Sequence, residues 1–138
     1  MKRILAPILL LTLLFPPLAL GEEVKIEDLV KRDGLYYRKF SDVPFTGKTT
    51  EKDQGSFKDR KRDGPWIIYW GNGQLFTKGT YKGGKEDGPW VQYWDNGQLY
   101  SKGTYKDGTK TGPWVSYKSD GTVDEKPTGT YRDGVKAK

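Results

Sequence analysis

Cysteine and histidine are both absent from the 138 residues. Without them there is no disulfide framework, no thiolate or imidazole metal site, no Ser-His or Cys-His nucleophile and no histidine proton shuttle. Aliphatic side chains are scarce too: hydrophobic types make up 34% of the chain, little for a conventional core. Aromatics stand in for them at 14%, with 5 Trp and 9 Tyr, and Gly reaches 18. That aromatic content excludes a disordered chain. The length leaves room for one domain or a short array of small units.

Long apolar runs are confined to the start. Met1-Lys2-Arg3 is cationic, Ile4 to Leu20 is almost wholly apolar, and Ala19-Leu20-Gly21 precedes Glu22-Glu23. This is the three-part pattern of an export leader, residues 1–21, cleaved after about Gly21. Pro7, Pro16 and Pro17, and a run shorter than the roughly 20 residues of a spanning helix, argue against a retained anchor. No Cys follows the run, so a lipid-modified N-terminal Cys is excluded. Processing removes Lys2 and Arg3, leaving 22 basic against 18 acidic residues and lowering the net charge from +6 to +4. The expected product is periplasmic or secreted and does not span the membrane.

Residues 55–138 repeat. Gly55-Ser56-Phe57-Lys58, Gly64-Pro65-Trp66-Ile67-Ile68-Tyr69-Trp70 and Asn72-Gly73-Gln74-Leu75 recur 24 residues later as Gly79 to Leu99 and again as Gly103 to Val123. A fourth start, Gly129-Thr130-Tyr131, comes 26 residues on, with the two extra residues near Asp124 to Thr128. Such a period signals a stacked or meandering array. Asn72-Gly73, Asn96-Gly97 and Asp120-Gly121 predict tight type I′ hairpin turns. Asp63-Gly64, Asp87-Gly88, Asp107-Gly108 and Asp133-Gly134 predict the longer connections. Pro65, Pro89 and Pro113 fall at strand starts, where a missing N–H is tolerated. The expected fold is all-β: an antiparallel meander of repeated hairpins forming an elongated, single-layer twisted sheet. Residues 22–54 read as a charged lead-in with one helical turn, followed by a degenerate capping hairpin from Asp33 to Lys48.

A two-residue turn places Trp70 opposite Leu75, Tyr69 opposite Phe76, Ile68 opposite Thr77, Ile67 opposite Lys78 and Trp66 opposite Gly79. Alternation then gathers Trp66, Ile68, Trp70, Leu75 and Tyr81 on one face, and Ile67, Tyr69, Phe76, Lys78, Thr80 and Lys82 on the other. The next unit repeats this with Trp90, Trp94, Leu99 and Tyr105 against Tyr93, Tyr100, Lys102, Thr104 and Lys106. Trp66 and Trp90 are expected to cover Gly79 and Gly103. On a single sheet about half of each Trp, roughly 150–250 Å² when fully buried, should leave water.

The unit Gly-x-Tyr-Lys-Asp-Gly-Lys-x-x-Gly-Pro-Trp-x-x-Tyr-x-x-Asn-Gly-Gln-Leu, matched best by Gly79 to Leu99, resembles the bacterial MORN-repeat variant family. Asp33-Gly34-Leu35-Tyr36-Tyr37 and Pro44-Phe45-Thr46-Gly47-Lys48 resemble that family's usual start. The resemblance implies a non-enzymatic scaffold linked to protein partners, dimerisation or anionic phospholipids, and for many bacterial variants an antitoxin or immunity role. Two departures are the export leader, at odds with a cytosolic antitoxin but not with a periplasmic immunity protein, and Lys118 in place of Trp70 and Trp94.

The carboxylates mostly stand beside Gly at turns, where they favour turn geometry, so no catalytic constellation emerges; paired carboxylates of the glycosidase kind are the chemistry the composition leaves open. No cofactor or metal is expected. Trp66, Trp70, Trp90, Trp94, Trp114, Tyr69, Tyr93 and Tyr100 either pack the array or supply a contact patch for a partner protein. Lys78, Lys82, Lys102 and Lys106 either form a solvated face or attract an acidic protein or anionic lipid headgroups. Sugar stacking on the aromatics is a third alternative. A pI near 9.4 fits nucleic acid, but export argues against it. The expected function is partner-protein binding with an immunity-type role, the alternative being an envelope binder of anionic lipid or glycan.

Overall fold

The computed structural model describes residues 22–138; the expected leader, residues 1–21, lies outside them. Thirteen strands follow in chain order: β1 (Glu22–Lys25), β2 (Leu29–Arg32), β3 (Leu35–Arg38), β4 (Gly47–Thr50), β5 (Asp53–Lys58), β6 (Lys61–Tyr69), β7 (Leu75–Lys82), β8 (Lys85–Glu86), β9 (Gly88–Tyr93), β10 (Leu99–Lys106), β11 (Thr109–Ser116), β12 (Gly129–Arg132) and β13 (Val135–Lys136). A single 3-10 turn, Ile26–Asp28, is the one helical element among the described residues. One open sheet runs in the order β1-β4-β5-β6-β7-β9-β10-β11-β12-β13, with β8 also on β7. The expected all-β hairpin meander is what the chain forms, save that β1 joins β4 in parallel. Hairpin β2–β3 stands apart as its own small sheet.

The turn types are the reverse of the sequence expectation. Asp107-Gly108, Asp133-Gly134 and Asp33-Gly34 have positive φ at both residues, between +50° and +81°, and join directly paired strands. They are the two-residue I′ turns. Lys58-Asp59-Arg60-Lys61 forms the same turn without glycine, with φ of +49° at Asp59 and +67° at Arg60. The Asn-Gly sites are three-residue loops instead. Trp70 N–H donates to the Gln74 carbonyl (2.7 Å) and Gly73 N–H to the Trp70 carbonyl (3.0 Å), with only the glycine left-handed. This is a type I turn closed by a left-handed glycine. Asn72 Oδ1 accepts from the Gln74 N–H, while its amide reaches the Asp95 carbonyl of the next loop at 2.8 Å.

An odd loop should shift the register. It does so for the two rungs nearest the loop: Trp70 faces Gln74, not Leu75, and Tyr69 pairs with Leu75, not Phe76. Phe76 is then an extra, bulged residue, and beyond it Ile68↔Thr77, Ile67↔Lys78 and Trp66↔Gly79 stand as counted. Tyr100 bulges in the same way in the next unit.

Strands β6 and β11 also bend. Between Gly55↔Trp66 and Phe57↔Arg62, the three residues Asp63, Gly64 and Pro65 oppose Ser56 alone. The φ of +88° at Gly64 marks this kink, an extra-residue bulge of the kind that increases local bend and twist. Asp63-Gly64 and Asp87-Gly88 are therefore bends, not connections. Each hairpin thus has two arms, one ending in an I′ tip and the other in an Asn-Gly loop.

The inside of the bend holds the core. Phe45, Phe57, Trp66, Tyr81, Trp90, Tyr105 and Trp114 form one column, each ring edge-on to the next at 4.9 to 5.8 Å. Alternating edge-to-face contact suits the aromatic quadrupole and is worth about 0.5–1.5 kcal/mol per pair beyond burial. Half-burial underestimates these tryptophans: Trp66 is 0% exposed, Trp114 3% and Trp90 7%. Each indole covers the glycine of the strand before it, not after it. A methyl on Gly55, Gly79 or Gly103 would fall within 3.0 Å of the ring of Trp66, Trp90 or Trp114 respectively. At one end the cap hairpin continues the stack, with Tyr36 against Phe57 at 4.8 Å.

Candidate functional site

The two faces of the sheet differ because the repeat places Pro and Ile or Val on either side of each core Trp. Trp66 points into the column, so Pro65 and Ile67 point away from it. Pro89 and Val91, then Pro113 and Val115, recur at the same places. Pro65, Pro89, Val91, Pro113 and Val115, together with Thr80, Thr104 and the exposed Lys78 and Lys102, line an open groove of ≈750 Å³. Past Pro65 the groove continues into a hollow of ≈510 Å³ bounded by Glu23, Lys48, Gln54, Ser56 and Ile67. From Pro65 on β6 to Pro113 on β11 it crosses four strand intervals, about 19 Å at 4.8 Å each.

The twelve residues singled out in the sequence fall into four settings. Trp66, Trp90 and Trp114 are buried in the aromatic column, although Trp90 and Trp114 also contribute to the groove wall. Trp70 and Trp94 lie half-buried at the loop end. Their indole N–H groups donate to the Tyr93 carbonyl (3.0 Å) and the Tyr117 carbonyl (3.1 Å) of the following unit, and their rings pack on Phe76 and Tyr100. Tyr69, Tyr93 and Tyr100 are half-buried there too. Lys118 occupies the equivalent place in the third loop, where no fourth loop lies alongside: β12 rejoins β11 only at Gly112–Trp114.

The lysines separate as well. Lys78 and Lys102 stand within the groove, one on each side of Val91, whereas Lys82 and Lys106 stand at the base of the I′ tips in an exposed row with Lys58 and Arg132. Among the described residues no ion pair engages any of the four sequence-predicted lysines; the three ion pairs are Lys25–Glu51, Arg32–Asp42 and Arg38–Glu22.

Two features were missed in the sequence. The prolines were read only as strand starters, yet their i, i+2 relation to Ile67, Val91 and Val115 already puts both on one face. The residue four before each core Trp is the other: Arg62 lies 4.5 Å over Trp66 and Lys110 lies 4.4 Å over Trp114, while Glu86 occupies the middle position. Burial holds the Lys110 ammonium below its ordinary pKa. Burial raises the Tyr81 phenol, opposed by the Arg62 guanidinium beside it, and burial and then Glu86 raise Tyr105. The Asp53 carboxyl is raised by burial, with Arg62 pulling it back.

None of this assembles a nucleophile, a base and an oxyanion site. Among the described residues no group of three or more acidic side chains could hold a metal ion, and no helix is long and apolar enough to cross a membrane. What the arrangement can do is present a shallow apolar surface studded with two cations. No curated protein matches the chain. A family model described as MORN repeat variant matches residues 62–82 and 86–107, each one hairpin around an Asn-Gly loop. The two matched segments are thus similar to MORN repeats, a non-catalytic module of protein- and membrane-binding scaffolds.

Proposed function

We propose that this chain is an exported, non-enzymatic repeat scaffold whose groove face binds a partner protein, as an immunity-type factor would. The observation that carries the reading is the ≈750 Å³ groove, in which Lys78 and Lys102 alternate with an apolar floor of Pro65, Pro89, Val91, Pro113 and Val115. Its length suits about six residues of extended chain at 3.3 Å each. Lys78 and Lys102 lie on strands two intervals apart, about 10 Å, and acidic side chains three residues apart on a polyproline-II segment recur at about 9.3 Å. The chemistry therefore fits an extended, acidic and apolar segment of a protein. A flat headgroup surface would reach the lysines but leave the floor unused.

The exposed row Lys58, Lys82, Lys106 and Arg132 favours a second reading, attraction of the tip edge to anionic lipid or glycan. Affinity capture from an envelope extract separates the two, using protein purified after expression of the full chain. Partner binding predicts a stoichiometric protein, lost with Val91→Asp, weakened several-fold by Lys78→Gln with Lys102→Gln, and indifferent to Gln at Lys58, Lys82 and Lys106. Recovery of lipid or glycan alone, lost in that last variant and above physiological salt, would replace the first reading with the second.

A further inference from the structure

A second cavity, of ≈260 Å³, opens where the cap hairpin β2–β3 meets the first I′ tip. Lys31 of β2, Tyr36 of β3, Lys61 and Arg62 of β6, Tyr81 of β7 and Glu86 of β8 line it. Three cations thus face one carboxylate, and among the described residues none of the four charged groups is in an ion pair.

The Arg62 guanidinium is fixed in place. It lies over Trp66 at 4.5 Å, Tyr81 at 5.4 Å and Tyr36 at 5.7 Å, and one terminal N–H donates to the Tyr81 hydroxyl at 3.2 Å. Its Nε–H is buried and has no acceptor. A buried donor of a charged group left without a partner is costly, and an oxyanion in the adjoining cavity would offset the guanidinium's charge. The Tyr81 hydroxyl accepts from Arg62, so its own proton is free to be donated. The next two hairpins carry Glu86 and Lys110 at this position, so the guanidinium, like the cap hairpin beside it, occurs once.

We propose that this cavity binds a compact oxyanion, a carboxylate or phosphate group, with Arg62 as the central donor and Lys31 and Lys61 closing the site. The planar guanidinium fork matches both groups. The site is independent of the groove, from which its residues are entirely distinct.

The test is a titration of nitrogen-15-labelled protein, purified after expression of the full chain, with sodium phosphate and with sodium acetate, chloride holding ionic strength constant. The expected result is a saturable shift of the Arg62 Nε–H resonance and the Gly84 amide. Lys31→Gln with Lys61→Gln, both exposed positions, should weaken it at least 5-fold, and Lys78→Gln with Lys102→Gln should leave it unchanged. Tighter phosphate identifies a phosphoryl ligand, and tighter acetate a carboxylate. No saturable shift with either anion up to tens of millimolar, or an undiminished one in Lys31→Gln with Lys61→Gln, would overturn the proposal.

Discussion

Replacing Gly79 with alanine adds one methyl group to the most regular part of the array. That methyl would sit within 3.0 Å of three carbons of the Trp90 indole, whereas carbons in contact prefer about 3.5–4.0 Å. The ring has no direction in which to yield, because Tyr81 lies 5.3 Å away on one side and Tyr105 5.6 Å away on the other. Overpacking typically costs about 1–3 kcal/mol, and complete loss of a core Trp about 3–5 kcal/mol. We therefore expect Gly79→Ala to cost about 3 kcal/mol, on the order of 10 °C in Tm for a domain of this size. Gly73→Ala is the control: nothing lies within 4 Å of its added methyl and φ is +85°, so only backbone strain of about 1 kcal/mol applies. Urea unfolding followed by circular dichroism reads both. In a Trp90→Ala background the same Gly79→Ala change should cost under 1 kcal/mol, a strongly non-additive cycle. Simple additivity, or a Gly79→Ala cost no larger than that of Gly73→Ala, would refute the packing account.

Arg60 holds φ +67° at the turn position where the other tips have Gly84, Gly108 and Gly134, so Arg60→Gly should stabilise the protein by about 0.5–1 kcal/mol in thermal unfolding, and Arg60→Ala should not. Trp94→Phe removes the N–H that the Tyr117 carbonyl accepts and should cost about 1 kcal/mol, most visible as faster amide exchange in the second and third loops. Tyr81 and Tyr105 have folded pKa values raised above 10.0, chiefly by burial. The neutral phenols are favoured in the fold, so their stabilisation is complete below pH 10 and is lost as pH rises through the folded values. Stability measured from pH 9 to 12 should fall, and Tyr81→Phe with Tyr105→Phe should flatten that fall.

The repeat, the all-β class and the inner rungs of the hairpins were legible because a 24-residue period with fixed Trp, Tyr and Gly positions leaves few other arrangements. The register survives for a reason the sequence hides: the extra residue of each Asn-Gly loop is absorbed by a bulge at Phe76 or Tyr100, so two departures cancel. The turn types were not legible. Asn-Gly suits either a I′ turn or a type I turn closed by glycine, and the choice is made by tertiary contacts. Asn72 and Asn96 each bond to a carbonyl of the following loop, Asp95 and Ser119. Complete burial of Trp66 was also invisible, since it depends on the bend at Gly64 and on Arg62 lying over the ring. The division of the lysines follows from the same bend, which sets Lys78 and Lys102 within the groove and Lys82 and Lys106 out at the tips.

The central claim is that the proline-lined face is the working surface, and photo-crosslinking in cells tests it most directly. A crosslinking residue at position 91, on the groove floor, should give one protein adduct that disappears in Lys78→Gln with Lys102→Gln, while position 85 on an I′ tip gives none. An adduct from position 85 with none from position 91 would contradict the account and move the contact to the tip edge.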